Sequence, residues 1–122
     1  MGNIPKISDS EWLVMKTIWD DNPITSNRVV EALTGSTAWK PKTIKTLINR
    51  LVKKGALGYE SEGREYLYYP LIEKVVLVKA ESRSFLKRVF GGAVKPMLAT
   101  MVESEDLSAE DIEELKRILD KK

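Results

Sequence analysis

The sequence predicts a mainly α-helical protein that contains one small β-hairpin. Several segments repeat apolar residues at three- and four-residue steps, which is typical of a helix with one buried face. Between residues 57 and 69, tyrosine and leucine instead alternate around a glycine, which is typical of two short strands. A length of 122 residues allows one domain, or a small domain with an appendage.

The first helix is expected to begin after Ser8. Ser8 and Glu11 have the spacing of a capping box, in which each side chain accepts a hydrogen bond from the backbone N–H of the other. Pro23 disfavours helical geometry in the residue before it and marks the end of the helix. The apolar residues between these signals predict the buried face: Trp12, Met15, Ile18 and Trp19.

A short second helix follows. Ile24 is a lone apolar residue that suits a short strand, and either Thr25 or Ser26 has the hydroxyl side chain of a helix N-cap. The inward face of this helix would carry Val29, Val30 and Leu33.

The third helix has clear signals at both ends. Pro41 suits the first helical position, where its missing N–H costs nothing, and Gly55 suits the C-cap. Trp39 and Ile44 have the spacing of a hydrophobic staple. One apolar arc of the helix is expected to face the core, namely Ile44, Leu47, Ile48, Leu51 and Val52.

Two predicted strands, residues 57–61 and 64–69, are joined by Glu62 and Gly63. Gly63 supplies the positive φ that a tight hairpin turn needs. The order helix, short strand, helix, helix and hairpin is that of a winged helix domain, a helix-turn-helix with a β wing. We expect this DNA-binding type of domain to occupy residues 1–71.

Residues 72–122 are expected to form a three-helix dimerisation domain. The predicted helices span residues 72–90, 94–102 and 108–119, and Ser108 with Asp111 repeats the capping signal. Three short helices with apolar stripes cannot build much core alone, so a homodimer is expected to bury the stripes. The residues expected at this contact are Phe85, Leu86, Val89, Met97, Leu98, Met101, Ile112, Leu115, Ile118 and Leu119.

Composition argues against an enzyme. The chain contains no cysteine and no histidine, which excludes disulfides, thiolate metal sites and a Ser–His triad. We therefore expect no cofactor and no metal. The seven acidic residues between Glu103 and Glu114, which include Glu105 and Asp106, lack calcium-loop spacing and are read as a solvated face. No secretory signal and no apolar stretch of about 20 residues is present, so we expect a cytoplasmic protein without membrane insertion.

The positive charge is concentrated in the centre of the chain. The net charge is +2 overall, but it is +7 over residues 40–88 and negative on both sides. The third helix presents polar side chains opposite its apolar arc, and residues 41–55 contain no acidic residue. An ordinary solvated face would mix charge signs, so this face is read as a binding surface for a DNA major groove. Its residues are Lys42, Thr43, Lys45, Thr46, Asn49, Arg50 and Lys53.

Two features of the hairpin have alternative interpretations. Arg64 at the hairpin tip could contact a phosphate or enter a minor groove, although three glutamates surround it. Tyr66, Tyr68 and Tyr69 could stack on single-stranded bases, but half-buried sheet residues are the favoured interpretation.

Four blocks of the sequence resemble the family of penicillinase and methicillin-resistance repressors. They are ISDSEWLVMKTIW, WKPKTIKTLINRLVKKGAL, EGREYLYYP and EDLSAEDIEELKRIL, in that order. The resemblance implies a dimeric winged helix repressor that binds a palindromic operator of a resistance operon. It also implies that residues 41–54 are the recognition helix, with Lys42, Thr43, Lys45, Thr46 and Arg50 at DNA-contacting positions. Lys45 stands where relatives commonly have arginine.

The resemblance also implies a mechanism of release. A membrane-bound sensor protease of this pathway perceives a β-lactam, and the repressor is then cleaved at an Asn–Phe bond. That bond aligns with Thr100 and Met101, which are therefore the candidate release site although the Asn–Phe pair is replaced. The alternative to a repressor is a winged helix module that binds a protein and not DNA.

Overall fold

A computed structural model describes residues 4–104 and 107–121 of the chain. Glu105 and Asp106, which belong to the acidic run considered above, lie outside the described residues. The chain divides into two compact units, Met1–Lys79 and Ala80–Lys122.

The first unit contains three helices, three strands and the beginning of a fourth helix. They are α1 (Asp9–Asp20), β1 (Ile24–Thr25), α2 (Ser26–Thr34), α3 (Pro41–Lys53), β2 (Leu57–Glu62), β3 (Glu65–Pro70) and α4 (Lys74–Phe90), of which residues 74–79 belong here. The predicted capping box of Ser8 and Glu11 is confirmed. Thr25 and not Ser26 caps α2, because its hydroxyl accepts a hydrogen bond from the N–H of Arg28 at 3.2 Å.

The core of the first unit lies between α1, α2, α3 and the sheet. Val14, Met15, Ile18, Val29, Ile44 and Leu51 are completely buried there, and Leu77 of α4 joins them. The three tryptophans pack against this core, as predicted. The rings of Trp12 and Trp19 pack edge to face, with their centroids 5.6 Å apart. The indole N–H of Trp19 donates to the carbonyl of Ile72 at 3.0 Å.

The strands form one antiparallel sheet in the order β1-β3-β2. The predicted short strand at Ile24 is confirmed, since Ile24 pairs with Tyr68. The predicted start of the last strand at Arg64 is wrong. Glu62 pairs with Glu65, which leaves Gly63 and Arg64 as a two-residue turn, and Gly63 adopts a φ of +63° that this turn requires.

The tyrosines of the hairpin do not share one environment. Tyr68 is buried, and the pairing of Tyr68 with Ile24 holds it over the core. Tyr66 is 51% exposed, and its ring centroid lies 4.9 Å from that of Tyr59 on the neighbouring strand. The prediction of a half-buried sheet residue is therefore wrong for Tyr66, because the hairpin extends beyond the core at that position.

The second unit contains the rest of α4, residues 80–90, together with α5 (Val94–Glu103) and α6 (Ala109–Asp120). α4 begins at Lys74 and not at residue 72, because the carbonyl of Ile72 accepts a hydrogen bond from the indole of Trp19, while the N–H of Val76 donates to the carbonyl of Glu73. The capping box of Ser108 and Asp111 is confirmed. Among residues 80–104 and 107–121 no side chain is buried. No helix in the described part of the chain is long and apolar enough to cross a membrane.

Candidate nucleic-acid interface

Helix α3 has two chemically distinct faces. Ile44, Leu47, Ile48 and Leu51 are buried in the core and fix the rotation of the helix about its axis. The seven residues of α3 that were predicted to contact DNA are all exposed on the remaining surface: Lys42, Thr43, Lys45, Thr46, Asn49, Arg50 and Lys53. The fold thus brings these residues together on one element.

The local geometry of α3 leaves most of these groups available to a ligand. The hydroxyl of Thr46 donates to the carbonyl of Lys42 at 2.9 Å, which orients the side chain along the helix. In the described part of the chain the exposed side chain of Asn49 makes no hydrogen bond, so its amide can donate to and accept from a base edge.

The cations of this surface are not neutralised within the protein. Among residues 4–104 and 107–121, the ion pairs involve Arg28, Lys54 and Lys116 only. The four cations of α3 therefore remain free, and so does Arg64. Free exposed cations are what a polyanion requires, because each can replace a condensed counterion on a phosphate.

Arg64 lies on a different element from the other predicted contacts. It is exposed at the turn end of the hairpin, and α3 packs against β2 of the same hairpin. Glu62 and Glu65 pair with each other on either side of the turn, but neither forms an ion pair with Arg64 in the described structure. Among the described residues no ion pair joins Arg64 to α3.

Sequence reasoning missed an ion pair at the end of α3. The ammonium of Lys54 lies 2.5 Å from Oε1 of Glu11 and also donates to the carbonyl of Lys6 at 2.8 Å. Glu11 is only 1% exposed, and the N–H of Ser8 donates to the same Oε1 at 2.9 Å. The sequence indicates the cap formed by Glu11, but no local pattern indicates a partner 43 residues away.

The charge of Glu11 is stabilised in this position. Burial alone raises the pKa of the carboxyl group. The hydrogen bonds from Lys54 and Ser8 outweigh that effect, so the pKa of Glu11 lies below its ordinary value of 4.5. Glu11 is therefore an ionised carboxylate at neutral pH, and Lys54 is its counterion.

The residues predicted for dimerisation leave much apolar surface uncovered in the single chain. Val89, Ile118 and Leu119 are more than half exposed. A groove of about 440 Å³ runs between α4 and α5 and is lined in part by Phe85, Leu86, Met97 and Met101. The other predicted residues, Leu98, Ile112 and Leu115, are half-buried.

The candidate release site lies inside a helix. Thr100 and Met101 belong to α5, and the hydroxyl of Thr100 donates to the carbonyl of Pro96 at 2.9 Å. A protease acts on segments that have opened, so cleavage between these residues requires local unwinding of α5.

Comparison with known proteins identifies the family. Residues 7–121 match the profile of the penicillinase repressor family. The chain belongs to the penicillinase repressor family. It is 42% identical to the penicillinase repressor of Bacillus licheniformis, over 98% of this chain and 94% of the relative. It is 38% identical to the methicillin resistance regulatory protein MecI of Mammaliicoccus sciuri, over 96% and 95% of the two chains.

A solved structure of the penicillinase repressor family supports the fold. The solution structure of the Bacillus licheniformis BlaI monomeric form in complex with the blaP half-operator is 47% identical, with a TM-score of 0.54. The match covers 61% of the present chain and 90% of the BlaI chain in that structure. The predicted family and the predicted winged helix fold are therefore both confirmed.

Proposed function

We propose that α3 is the DNA-reading element of this chain and that two copies bind a palindromic operator. The chain is a DNA-binding transcriptional repressor, as its family and its relatives indicate. The proposal adds the surface that binds DNA, the residues that read sequence and the symmetry of the complex.

The single observation that carries the proposal is the exposed face of α3. It combines four unpaired cations with an amide and two threonines, and it contains no carboxylate. Lysine and arginine bind phosphates or guanine acceptors, asparagine pairs with adenine, and the threonine methyl packs on thymine. Because N-terminal residues of a recognition helix contact bases, we assign base reading to Lys42, Lys45 and Thr46, with Arg50 and Lys53 on phosphates.

The two-fold symmetry of the proposed complex would come from dimerisation through the second unit. Among its described residues no side chain is buried, and Ile118 and Leu119 of α6 are more than half exposed. A second copy that covers these stripes gives a two-fold dimer, and a two-fold dimer places two α3 helices in major grooves one helical turn, or a multiple of it, apart. The operator would then be palindromic, and the repressor would act in the cytoplasm on a resistance operon.

The proposal is tested first by finding the DNA sequence that the protein binds preferentially. Wild-type protein is incubated with a random-sequence duplex library, and the recovered sequences are expected to contain an inverted repeat. On that duplex, Lys45→Ala should weaken binding by about 1–3 kcal/mol, the range for one specific side-chain contact to a base. Fluorescence anisotropy measures the affinity, and thermal denaturation shows that the variant remains folded.

Two outcomes would contradict the proposal. Recovery of no enriched sequence would favour the protein-binding winged helix module instead. An unchanged affinity of Lys45→Ala on an enriched duplex would remove Lys45 from the site.

A further inference from the structure

Three segments of the first unit meet at one buried carboxylate. Glu11 of α1 accepts hydrogen bonds from the N–H of Ser8 and from the ammonium of Lys54. The same ammonium also donates to the carbonyl of Lys6. The side chain of Glu11 is 2% exposed and that of Lys54 is 35% exposed. The N-terminal segment, the beginning of α1 and the end of α3 are thus joined by charge-assisted hydrogen bonds, which are stronger than neutral ones.

The backbone holds Lys54 in place at the end of α3. Gly55 adopts a φ of +82°, and the N–H groups of Gly55 and Ala56 donate to the carbonyls of Val52 and Leu51 at 3.0 Å each. This is the paired hydrogen bonding of a Schellman motif. The backbone of Lys54, the C-cap of α3, is therefore held in a defined position relative to the helix.

Helix α1 contacts other elements of the winged helix domain, including α3. It packs on α3, on α2 and on β3 of the hairpin. The apolar residues of α3 fix how the helix rotates, but apolar packing is not directional. The ion pair adds a directional contact at the C-terminal end of α3, and this contact opposes sliding or tilting of the helix on α1.

We propose that Lys54 and Glu11 are positioning residues that set the angle at which α3 enters the major groove, without touching DNA themselves. The proposal rests on the function proposed above for α3. Its consequence is that the pair controls discrimination between sequences, because base contacts depend on the placement of α3. Contacts of flexible lysines with phosphates tolerate small displacements, so binding to unrelated DNA depends on the pair much less.

The test compares the affinity for the duplex selected by the wild type with that for a shuffled duplex of the same length and composition. Lys54→Met removes the ammonium and keeps the aliphatic stem. The ratio of the two affinities should fall about tenfold, the factor that corresponds to one charge-assisted hydrogen bond. Binding to the shuffled duplex should stay the same. Glu11→Gln should act in the same direction, and Lys54→Arg should restore most of the ratio.

The chain offers a matched control in an exposed pair. Lys116 and Glu113 lie 3.5 Å apart with about two thirds of each side chain exposed. Lys116→Met and Glu113→Gln should leave the affinity ratio unchanged. Thermal denaturation of each variant shows that it is folded at the assay temperature, and Lys54→Met carries the test if Glu11→Gln does not fold.

Three outcomes overturn the positioning role. If affinities for both duplexes fall by the same factor, the pair only stabilises the fold. If they fall together and the salt dependence also weakens by about one counterion per protomer, Lys54 itself contacts a phosphate. If the variants match the wild type, the pair has no part in recognition. A wild type that prefers no duplex, in contrast, overturns the function proposed for α3 and this inference with it.

Discussion

The salt dependence of DNA binding follows directly from the unpaired cations. Each protomer exposes five cations on α3 and the hairpin tip, namely Lys42, Lys45, Arg50, Lys53 and Arg64, and none forms an ion pair within the described residues. The proposed dimer therefore exposes ten cations. The six that remain when Lys42 and Lys45 bind bases give the lower limit of phosphate contacts, and all ten give the upper limit. Every phosphate that is neutralised releases condensed counterions, so added salt opposes binding.

The expected size of the effect is large. If six to ten of these cations reach phosphates, the logarithm of affinity should fall with the logarithm of salt with a slope of about −5 to −9. Between 50 and 200 mM salt the affinity would drop by about 10³- to 10⁵-fold. Substitution of one phosphate-binding cation in both protomers, as in Lys53→Ala, should reduce the slope by about 1.8.

Fluorescence anisotropy of the labelled selected duplex, at six or more salt concentrations, measures the slope. Lys116→Ala is the matched control, since Lys116 lies on α6 and pairs with Glu113. It should leave the slope unchanged. A wild-type slope near zero would refute electrostatic binding by this surface, and an unchanged slope for Lys53→Ala would remove that residue from the phosphate contacts.

Three further results are expected. Gly55→Ala should lower the free energy of unfolding by about 1–2 kcal/mol in urea titrations, because Gly55 has a φ of +82° with open space around it; an unchanged midpoint would exclude strain there. The pKa of Glu11 is lower in the folded chain than in the unfolded chain. The contribution of its ionised form to the free energy of unfolding is therefore complete above pH 4.5 and is lost as the pH falls through the folded pKa. Urea midpoints should therefore fall more steeply with acid in the wild type than in Glu11→Gln, whereas parallel curves would contradict this. Leu115→Asp should yield monomers in sedimentation velocity, because it places a charge on the apolar stripe of α6, and a persistent dimer would move the interface elsewhere.

Local signals predicted most of the fold. The capping boxes at Ser8 and Ser108 and the end of α3 at Gly55 were predictable because caps depend on residues within one turn of each other. The exposed face of α3 was predictable for the same reason, since the apolar arc alone fixes which residues point outward.

Features set by contacts distant in sequence were less predictable. The hairpin turn lies one residue later than predicted because the pairing of the two strands, which begins at Leu57 with Pro70, sets its position. Tyr66 is exposed because the strand extends past the core. The burial of Glu11 depends on Lys54, which no spacing rule connects to it. The contacts proposed between two copies could be predicted only indirectly, from apolar residues such as Ile118 and Leu119 that are not part of the core of the single chain.

Chemical-shift mapping of the full chain bound to its selected duplex shows which residues of the first unit lie against the DNA. We expect the largest shifts of backbone amide signals at residues 42–53, with smaller shifts at Gly63 and Arg64. Large shifts elsewhere on the first unit, with the amides of α3 unchanged, would contradict the claim that α3 reads the DNA.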